Sequence, residues 1–189
     1  MIDLVTEAHQ FQLLCERMGW QFCFIGGLPA QHCGEPRLTR DVDVTVVTGF
    51  GAEQEFVSAI MKSYTARRTD AAEFAMQHRV LLVQGSSGIG LDISLGALPF
   101  PVQMISRAVK VEFAPGVELR ICSPGDLIVL KSFASRPQDW LDVTSVIVRQ
   151  WSDNLDWHYI LWNLKPLVAL KEEPEILDKL AMLRRASNA

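Results

Sequence analysis

Asp41 and Asp43 are the residues of this sequence whose type and spacing point most directly to chemistry. Residues 41–47 read Asp-Val-Asp-Val-Thr-Val-Val, an alternation that predicts a β-strand. Side chains two residues apart on a strand leave the same face, so the carboxylates are expected to lie close together. A divalent cation such as Mg²⁺ relieves their repulsion, so the pair indicates a metal site. A solvated sheet edge is the alternative interpretation.

Asp92 is the third candidate ligand, in Leu91-Asp92-Ile93 on a further predicted strand, 91–95. If this strand is a neighbour of 41–47, Asp92 completes a cluster of three carboxylates with Asp41 and Asp43. Two metal ions in such a cluster bind the attacking and the leaving oxygen during phosphoryl or nucleotidyl transfer. No Ser-His-Asp or Cys-His arrangement competes clearly for a different chemistry.

Gly26 and Gly27 end a predicted strand, 21–25, and begin a short predicted helix, 28–33. Glycine lets a backbone approach a phosphate closely, and the first turn of a helix offers N–H donors and a favourable dipole. Taken with the acidic residues, the two glycines are expected to hold the phosphates of a nucleotide. For the glycines alone, a plain turn is the alternative.

Three polar residues, Arg37, Thr39 and Arg40, lead directly into the acidic pair. Guanidinium and hydroxyl groups suit phosphate oxygens, so this segment is expected beside the phosphates. The glycine- and serine-rich segment 85–90 offers no such site. A phosphate-binding P-loop has Lys and Ser or Thr after its last glycine, whereas Leu and Asp follow here, so a plain hairpin connection is expected.

The remaining pattern predicts a mixed sheet in the first two thirds of the chain and helices after it. Further strands are expected at 78–84, 110–113 and 117–122, and helices at 3–18, 53–64, 102–109, 126–135, 138–150, 155–170 and 174–185. The helix at 126–135 follows a start signal, Ser123-Pro124, and Arg136-Pro137 separates it from the next.

Composition and charge exclude several classes of protein. With 189 residues, the chain suits one domain with a helical appendage. The net charge of −4 argues against extended nucleic-acid binding, which needs a basic surface. No apolar stretch reaches the length of about 20 residues that crosses a membrane, and the acidic first residues do not resemble a signal peptide. A cytoplasmic location is expected, with the four cysteines reduced and mostly buried.

Three segments together, Ile25-Gly26-Gly27, Asp41-Val42-Asp43-Val44 and Leu91-Asp92-Ile93, resemble the signature of the DNA polymerase β-type nucleotidyltransferase superfamily. The run Arg37-x-Thr39-x-Asp41-x-Asp43 is similar to its small prokaryotic branch, which includes abortive-infection toxin nucleotidyltransferases. The resemblance covers roughly residues 21 to 146. It implies an α/β (α+β) nucleotidyltransferase fold, a mixed β-sheet flanked by helices. We expect a catalytic core at 1–122 and a helical C-terminal region at 123–189 packed on it.

The resemblance also implies roles for the residues that match. Asp41, Asp43 and Asp92 hold Mg²⁺, with two ions expected and Mn²⁺ as a substitute, while the triphosphate rests on Gly26 and Gly27. Asp92 is in addition the expected acceptor of the proton from the attacking hydroxyl.

A helical lysine followed by a basic and acidic segment is a further feature of that branch, and Lys131 with Asp139 and Asp142 is similar. The resemblance implies that Lys131 binds the nucleotide and neutralises phosphate charge. An exposed helix lysine is the alternative. Asp139 and Asp142 either orient Lys131 or act as structural helix acids.

The function that follows is transfer of a nucleoside monophosphate from an NTP such as ATP to a hydroxyl acceptor, with release of pyrophosphate. A small molecule such as an aminoglycoside, a protein hydroxyl and an RNA end all remain open as acceptors. A toxin neutralised by an antitoxin protein is a further prediction. The alternative from a different class is an inactive nucleotide-binding or interaction module with the same fold.

Overall fold

The computed structural model describes residues 2–151 and 154–187, and the chain divides into two compact units. The first unit comprises the residues up to Leu28 and Leu38–Cys122. The second comprises Pro29–Arg37 and the residues from Ser123 onwards. Within the described ranges, no helix is long and apolar enough to cross a membrane.

A seven-stranded mixed sheet forms the centre of the first unit. Its strands are β1 (Phe22–Ile25), β2 (Asp41–Val47), β3 (Thr65–Ala66), β4 (Val80–Gln84), β5 (Gly90–Gly96), β6 (Val109–Ala114) and β7 (Val117–Ile121). They lie in the order β3-β4-β5-β2-β1-β7-β6. The pairs β2–β5 and β1–β7 are parallel, and the other neighbours are antiparallel.

Strand β2 shows how the sequence alternation sets the faces of this sheet. Val42, Val44 and Val46 are fully buried, at 0% exposure, whereas Asp41 and Asp43 are half-buried. Because side chains alternate along a strand, the valines enter the core and the aspartates leave the opposite face. Asp41 and Asp43 are thus anchored by an apolar row on their own strand.

Four helices accompany the sheet in the described part of the first unit: α1 (Ile2–Met18), α3 (Glu53–Ile60), α4 (Ala71–His78) and α5 (Pro99–Ser106). In α1, Ala8, Phe11 and Cys15 are fully buried. Their helical spacing gives α1 an apolar stripe that packs into the core. All four cysteines are buried, and the sequence predicted that most of them would be.

The second unit is helical. The helix α2 (Gly27–Cys33) begins shortly after β1, and its residues from Pro29 onwards belong to this unit. The unit also contains α6 (Pro124–Ala134), α7 (Pro137–Arg149), α8 (Trp157–Lys171) and α9 (Glu175–Ala186). Ser123 caps α6, since its Oγ accepts a hydrogen bond from the Asp126 backbone N–H at 3.2 Å. Ser135 ends α6 in the left-handed conformation, with φ of 59°.

The predicted fold class is confirmed: a mixed sheet with helices, followed by a helical C-terminal part. The hairpin connection at 85–90 is also confirmed, because β4 and β5 pair antiparallel across it. Two helices have bounds that differ from the prediction. The helix predicted at 53–64 is α3, which ends at Ile60, and the helix predicted at 102–109 is α5 (Pro99–Ser106), which is shifted by three residues at both ends. The sequence patterns missed β3 and α4.

Candidate active site

Asp41, Asp43 and Asp92, here called the acidic cluster, lie on two neighbouring parallel strands. In the register of β2 and β5, Asp43 is paired with Asp92, and Asp41 is paired with Gly90. Paired residues of adjacent strands project from the same face, so the three carboxylates share one side of the sheet. The side chains of Asp41 and Asp92 are 47% and 36% exposed, so a ligand can reach them.

Gly26 and Gly27 contact the acidic cluster in a way that explains why both are glycine. Gly26 has φ of +66°, a conformation that side chains disfavour, and a Cβ there would collide with the Asp43 carboxylate. A Cβ on Gly27 would collide with the Thr39 side chain. The Gly27 backbone N–H also points to Asp43 Oδ2 at 3.5 Å. The two glycines therefore leave the space that Asp43 and Thr39 occupy.

Thr39 and Arg40 precede β2, as the sequence requires. The Thr39 hydroxyl donates to the Asp41 backbone carbonyl at 3.4 Å, which places it beside the acidic cluster and Gly27. Arg40 is exposed. The first unit thus brings together six of the sequence-predicted site residues: Gly26, Gly27, Thr39, Asp41, Asp43 and Asp92.

Arg67, a residue that the sequence patterns did not single out, lies among these carboxylates. Its Nη1 donates to Asp92 Oδ1 at 2.6 Å and is 3.9 Å from Asp41 Oδ1. Arg67 directly follows β3, a strand of only two residues, which is too short to show an alternating pattern. In the sequence, Arg67 is visible only as part of a basic pair, Arg67-Arg68, and such pairs are common in exposed loops.

The residue types of the acidic cluster fit a divalent cation, although their present arrangement holds the guanidinium of Arg67. Three carboxylates supply the oxygen donors that Mg²⁺ prefers, and Gly26 and Gly90 leave room around two of them. In the described residues, however, no group of three or more His, Cys, Asp or Glu side chains is arranged as a metal site. Metal binding at the cluster would therefore require the side chains to adjust.

Lys131 lies in the second unit, inside what we call the ion-pair cluster: Lys131, Arg37, Arg136, Asp139 and Asp142. Its Nζ is 3.0 Å from Asp139 Oδ1 and 2.8 Å from Asp142 Oδ2. These three side chains are only 7%, 1% and 5% exposed, respectively. The lysine is thus a buried residue that two carboxylates hold in place.

The two arginines complete the ion-pair cluster. Arg37 donates through Nε and Nη2 to the two Asp142 oxygens, at 2.7 and 2.8 Å, a bidentate geometry. Arg136 donates through Nε to Asp139 Oδ2 at 2.6 Å. Asp139 also accepts from the Arg136 backbone N–H at 3.2 Å and so caps α7. The predicted phosphate contact of Arg37 remains a prediction, since this guanidinium binds Asp142.

Both carboxyl groups of the ion-pair cluster have a lowered pKa. Burial alone raises the pKa of Asp139, but the hydrogen bonds from Arg136 and Lys131 outweigh it. Burial likewise raises the pKa of Asp142, and the hydrogen bonds from Arg37, Lys131 and Gln138 reverse that effect. Both aspartates are therefore ionised at neutral pH, and their charges stabilise the positions of the basic residues around them.

The sequence matches no protein-family model, and no curated protein matches it. Among solved structures, an antigenic nucleotidyltransferase-like protein from Paracoccidioides brasiliensis is similar, with a TM-score of 0.53 and 12% sequence identity over 94% of this chain and 92% of that one. The antibiotic-resistance factor ANT(2″)-Ia is similar with a TM-score of 0.51 and 14% identity, over 92% of this chain and 94% of that one. The chain therefore has the fold of these nucleotidyltransferase-like structures.

Proposed function

We propose that this protein is a metal-dependent nucleotidyltransferase that moves a nucleoside monophosphate from an NTP to a hydroxyl acceptor and releases pyrophosphate. The observation that carries the proposal is the register between β2 and β5, which pairs Asp43 with Asp92 and places Asp41 on the same face. Mg²⁺ bound by these carboxylates would supply charge stabilisation at the transferred phosphate.

Each residue of the site has a proposed task. Asp41, Asp43 and Asp92 hold the metal, with two Mg²⁺ ions or Mn²⁺ in their place. Asp92 also accepts the proton of the acceptor hydroxyl. The backbone N–H groups at Gly26 and Gly27 bind the triphosphate, because the absence of side chains allows close approach. The exposure of Asp41 and Asp92 supports the metal-binding task. The Gly27 N–H lies 3.5 Å from Asp43 Oδ2, a long contact that a phosphate oxygen would replace.

The structural neighbours support nucleotidyl transfer as the general function, and they suggest the order in which acceptors should be tested. One of them is a nucleotidyltransferase-like protein, and the other is an antibiotic-resistance factor. A small-molecule hydroxyl, such as that of an aminoglycoside, is therefore the first acceptor to test, ahead of protein hydroxyls and RNA ends. The formal charge of −4 places extended RNA last. A toxin role with an antitoxin partner stays a prediction from the sequence resemblance.

One observation favours a second candidate, a nucleotide-binding module without catalysis. The guanidinium of Arg67 is hydrogen-bonded to Asp92 Oδ1 and lies 3.9 Å from Asp41 Oδ1, and both are oxygens that a metal would need. If that ion pair is permanent, the fold binds a nucleotide without metal or does not bind one at all. The two candidates therefore differ in whether nucleotide binding depends on the metal.

Calorimetric titration with ATP, GTP, CTP and UTP, with and without Mg²⁺, tests the proposal on the wild-type protein and on Asp43→Asn. We expect at least one NTP to bind only with Mg²⁺, and the variant to lose most of this binding because one metal ligand is gone. The matched control is Asp70→Asn, which removes an exposed carboxylate of the same unit that pairs with Arg68.

Metal-independent NTP binding that survives Asp43→Asn would overturn the assignment and leave the non-catalytic module. Loss of binding in Asp70→Asn as well would show that the effect of Asp43→Asn is not specific to the site. For the preferred NTP, transfer of its labelled α-phosphate to a panel of aminoglycosides, protein and RNA then identifies the acceptor.

A further inference from the structure

Arg67 stands at the end of a row of residues that crosses the sheet through the acidic cluster. Its backbone N–H donates to the Leu82 carbonyl at 3.0 Å, which extends the pairing of β3 and β4 by one residue. Leu82 is the register partner of Asp92, and Asp92 is that of Asp43. Two strand spacings, about 10 Å of backbone, separate Arg67 from Asp92, so the arginine side chain reaches across Leu82 along one face.

The guanidinium ends between two carboxylates of the cluster. Nη1 of Arg67 is 2.6 Å from Asp92 Oδ1, a short charge-assisted hydrogen bond, and 3.9 Å from Asp41 Oδ1. The side chain of Arg67 is 32% exposed, so solvent reaches the ion pair on one side. This partial exposure makes the pair exchangeable, unlike a fully buried one.

Gly90 shapes the space into which the guanidinium fits. It is the register partner of Asp41 on β5. A Cβ at Gly90 would lie 2.6 Å from Arg67 Nη1 and 3.0 Å from its Cζ, and it would also collide with the Asp41 carboxylate. The missing side chain therefore accommodates both the acid and the arginine. This packing relation supports the placement of Arg67 independently of the charges.

We propose that Arg67 is the internal counter-ion of the acidic cluster and that a divalent cation displaces it from Asp92. The inference rests on the proposed function, because it takes Asp92 as a metal ligand. A guanidinium at 2.6 Å from Asp92 Oδ1 and a divalent ion on the same oxygen repel each other and compete for its lone pairs. Arg67 is thus a positioning residue that holds the carboxylates together before the metal arrives.

Two consequences separate this role from a merely structural one. Removing the charge at residue 67 removes the group that competes with the metal for Asp92. A divalent ion then binds more tightly, by about two- to five-fold, because the ion pair of Arg67 and Asp92 is partly exposed. The same change leaves three carboxylates without this counter-ion, so the metal-free protein becomes less stable and gains more stability from the metal.

Mn²⁺ binding to the full chain, followed by the paramagnetic resonance signal of free Mn²⁺, measures the first consequence. We expect Arg67→Gln to bind Mn²⁺ about two- to five-fold more tightly than the wild type. Arg67→Lys, which keeps the positive charge, should bind close to the wild-type level. The matched control Arg68→Gln removes the neighbouring charge, which pairs with Asp70 instead, and should leave Mn²⁺ affinity unchanged.

Thermal unfolding with and without saturating Mn²⁺ measures the second consequence. Arg67→Gln should start from a lower Tm and show the larger rise on metal addition. Unchanged or weaker Mn²⁺ binding by Arg67→Gln, beside clear binding by the wild type, would overturn the role of Arg67 while leaving the metal site intact. If neither protein binds Mn²⁺, both the inference and the metal assignment fail. Mn²⁺ binding by Arg67→Gln but not by the wild type would support strong competition between Arg67 and the metal.

Discussion

The acidic cluster on the sheet and the ion-pair cluster of the second unit both combine carboxylates with basic side chains. Carboxylates are in excess in the acidic cluster, and basic side chains are in excess in the ion-pair cluster. The ion-pair cluster sets three cations around two carboxylates that are 1% and 5% exposed. The acidic cluster combines three carboxylates with one guanidinium, that of Arg67, which lies against Asp92 and 3.9 Å from Asp41; these two side chains are 36% and 47% exposed. A buried cluster tolerates little uncompensated charge, whereas an exposed one can hold an excess that a ligand neutralises.

This difference bears on which predicted site residues carry chemistry. A group that must bind an incoming ligand needs accessible oxygens or donors, and the acidic cluster has them. Lys131 has its ammonium group engaged by two carboxylates and is 7% exposed, so phosphate binding would require these ion pairs to open. The role of Lys131 at a phosphate therefore stays a prediction, and stability measurements test its structural role.

The largest expected effect is on catalysis. Asp92→Asn should reduce nucleotidyl transfer at least about 1000-fold, equivalent to about 4 kcal/mol, because it removes a proposed metal ligand that is also the proposed proton acceptor. The measurement is pyrophosphate release with the preferred NTP and acceptor. Asp70→Asn is the control and should keep its activity. Retained activity in Asp92→Asn would remove the contrast between the two clusters, since the acidic cluster would then have no chemical role.

The next effect is on stability and concerns the buried cluster. Lys131→Met should lower the free energy of unfolding by about 3 kcal/mol, because two buried carboxylates lose a shared partner. Urea unfolding measures the change. Lys171→Met is the matched control: Lys171 pairs with Glu173 at 2.8 Å and donates to the Phe133 carbonyl at 3.1 Å, but its side chain is 29% exposed, so a smaller loss of about 1 kcal/mol is expected. Equal losses in both variants would contradict the structural importance of the buried cluster.

The smallest effect is on the pH dependence of stability. The folded pKa values of Asp139 and Asp142 lie below the unfolded value of about 3.9. Their stabilisation is therefore fully present above the unfolded pKa and is lost as the pH falls through the folded pKa, from about pH 5 downwards.

Urea unfolding between pH 7 and pH 3 tests this dependence. The variant Asp142→Asn should be less stable than the wild type at pH 7, and the difference should shrink on acidification, because the wild-type carboxylate is then neutralised as well. A difference that stays constant with pH would show that the charge of Asp142 is not what stabilises the cluster.

The sequence alone predicted most elements, because their patterns are local. Strand β2 has the predicted bounds, since its valines and aspartates alternate without interruption. The turn at 85–90 was predicted correctly because its glycines and serines lack the residues of a P-loop. Two elements were missed: β3 has only two residues, and α4 buries only Ala71 and Ala75, so its apolar periodicity is weak.

What the sequence determined by itself is which residue types can do chemistry, because the spacing of Asp41 and Asp43 on a strand fixes their common face. Only the tertiary structure decided that β5 lies beside β2 in the register that pairs Asp43 with Asp92. It also decided that Arg67 reaches Asp92 from two strands away. Strand order and register depend on contacts between residues far apart in the chain, and no local pattern encodes those contacts.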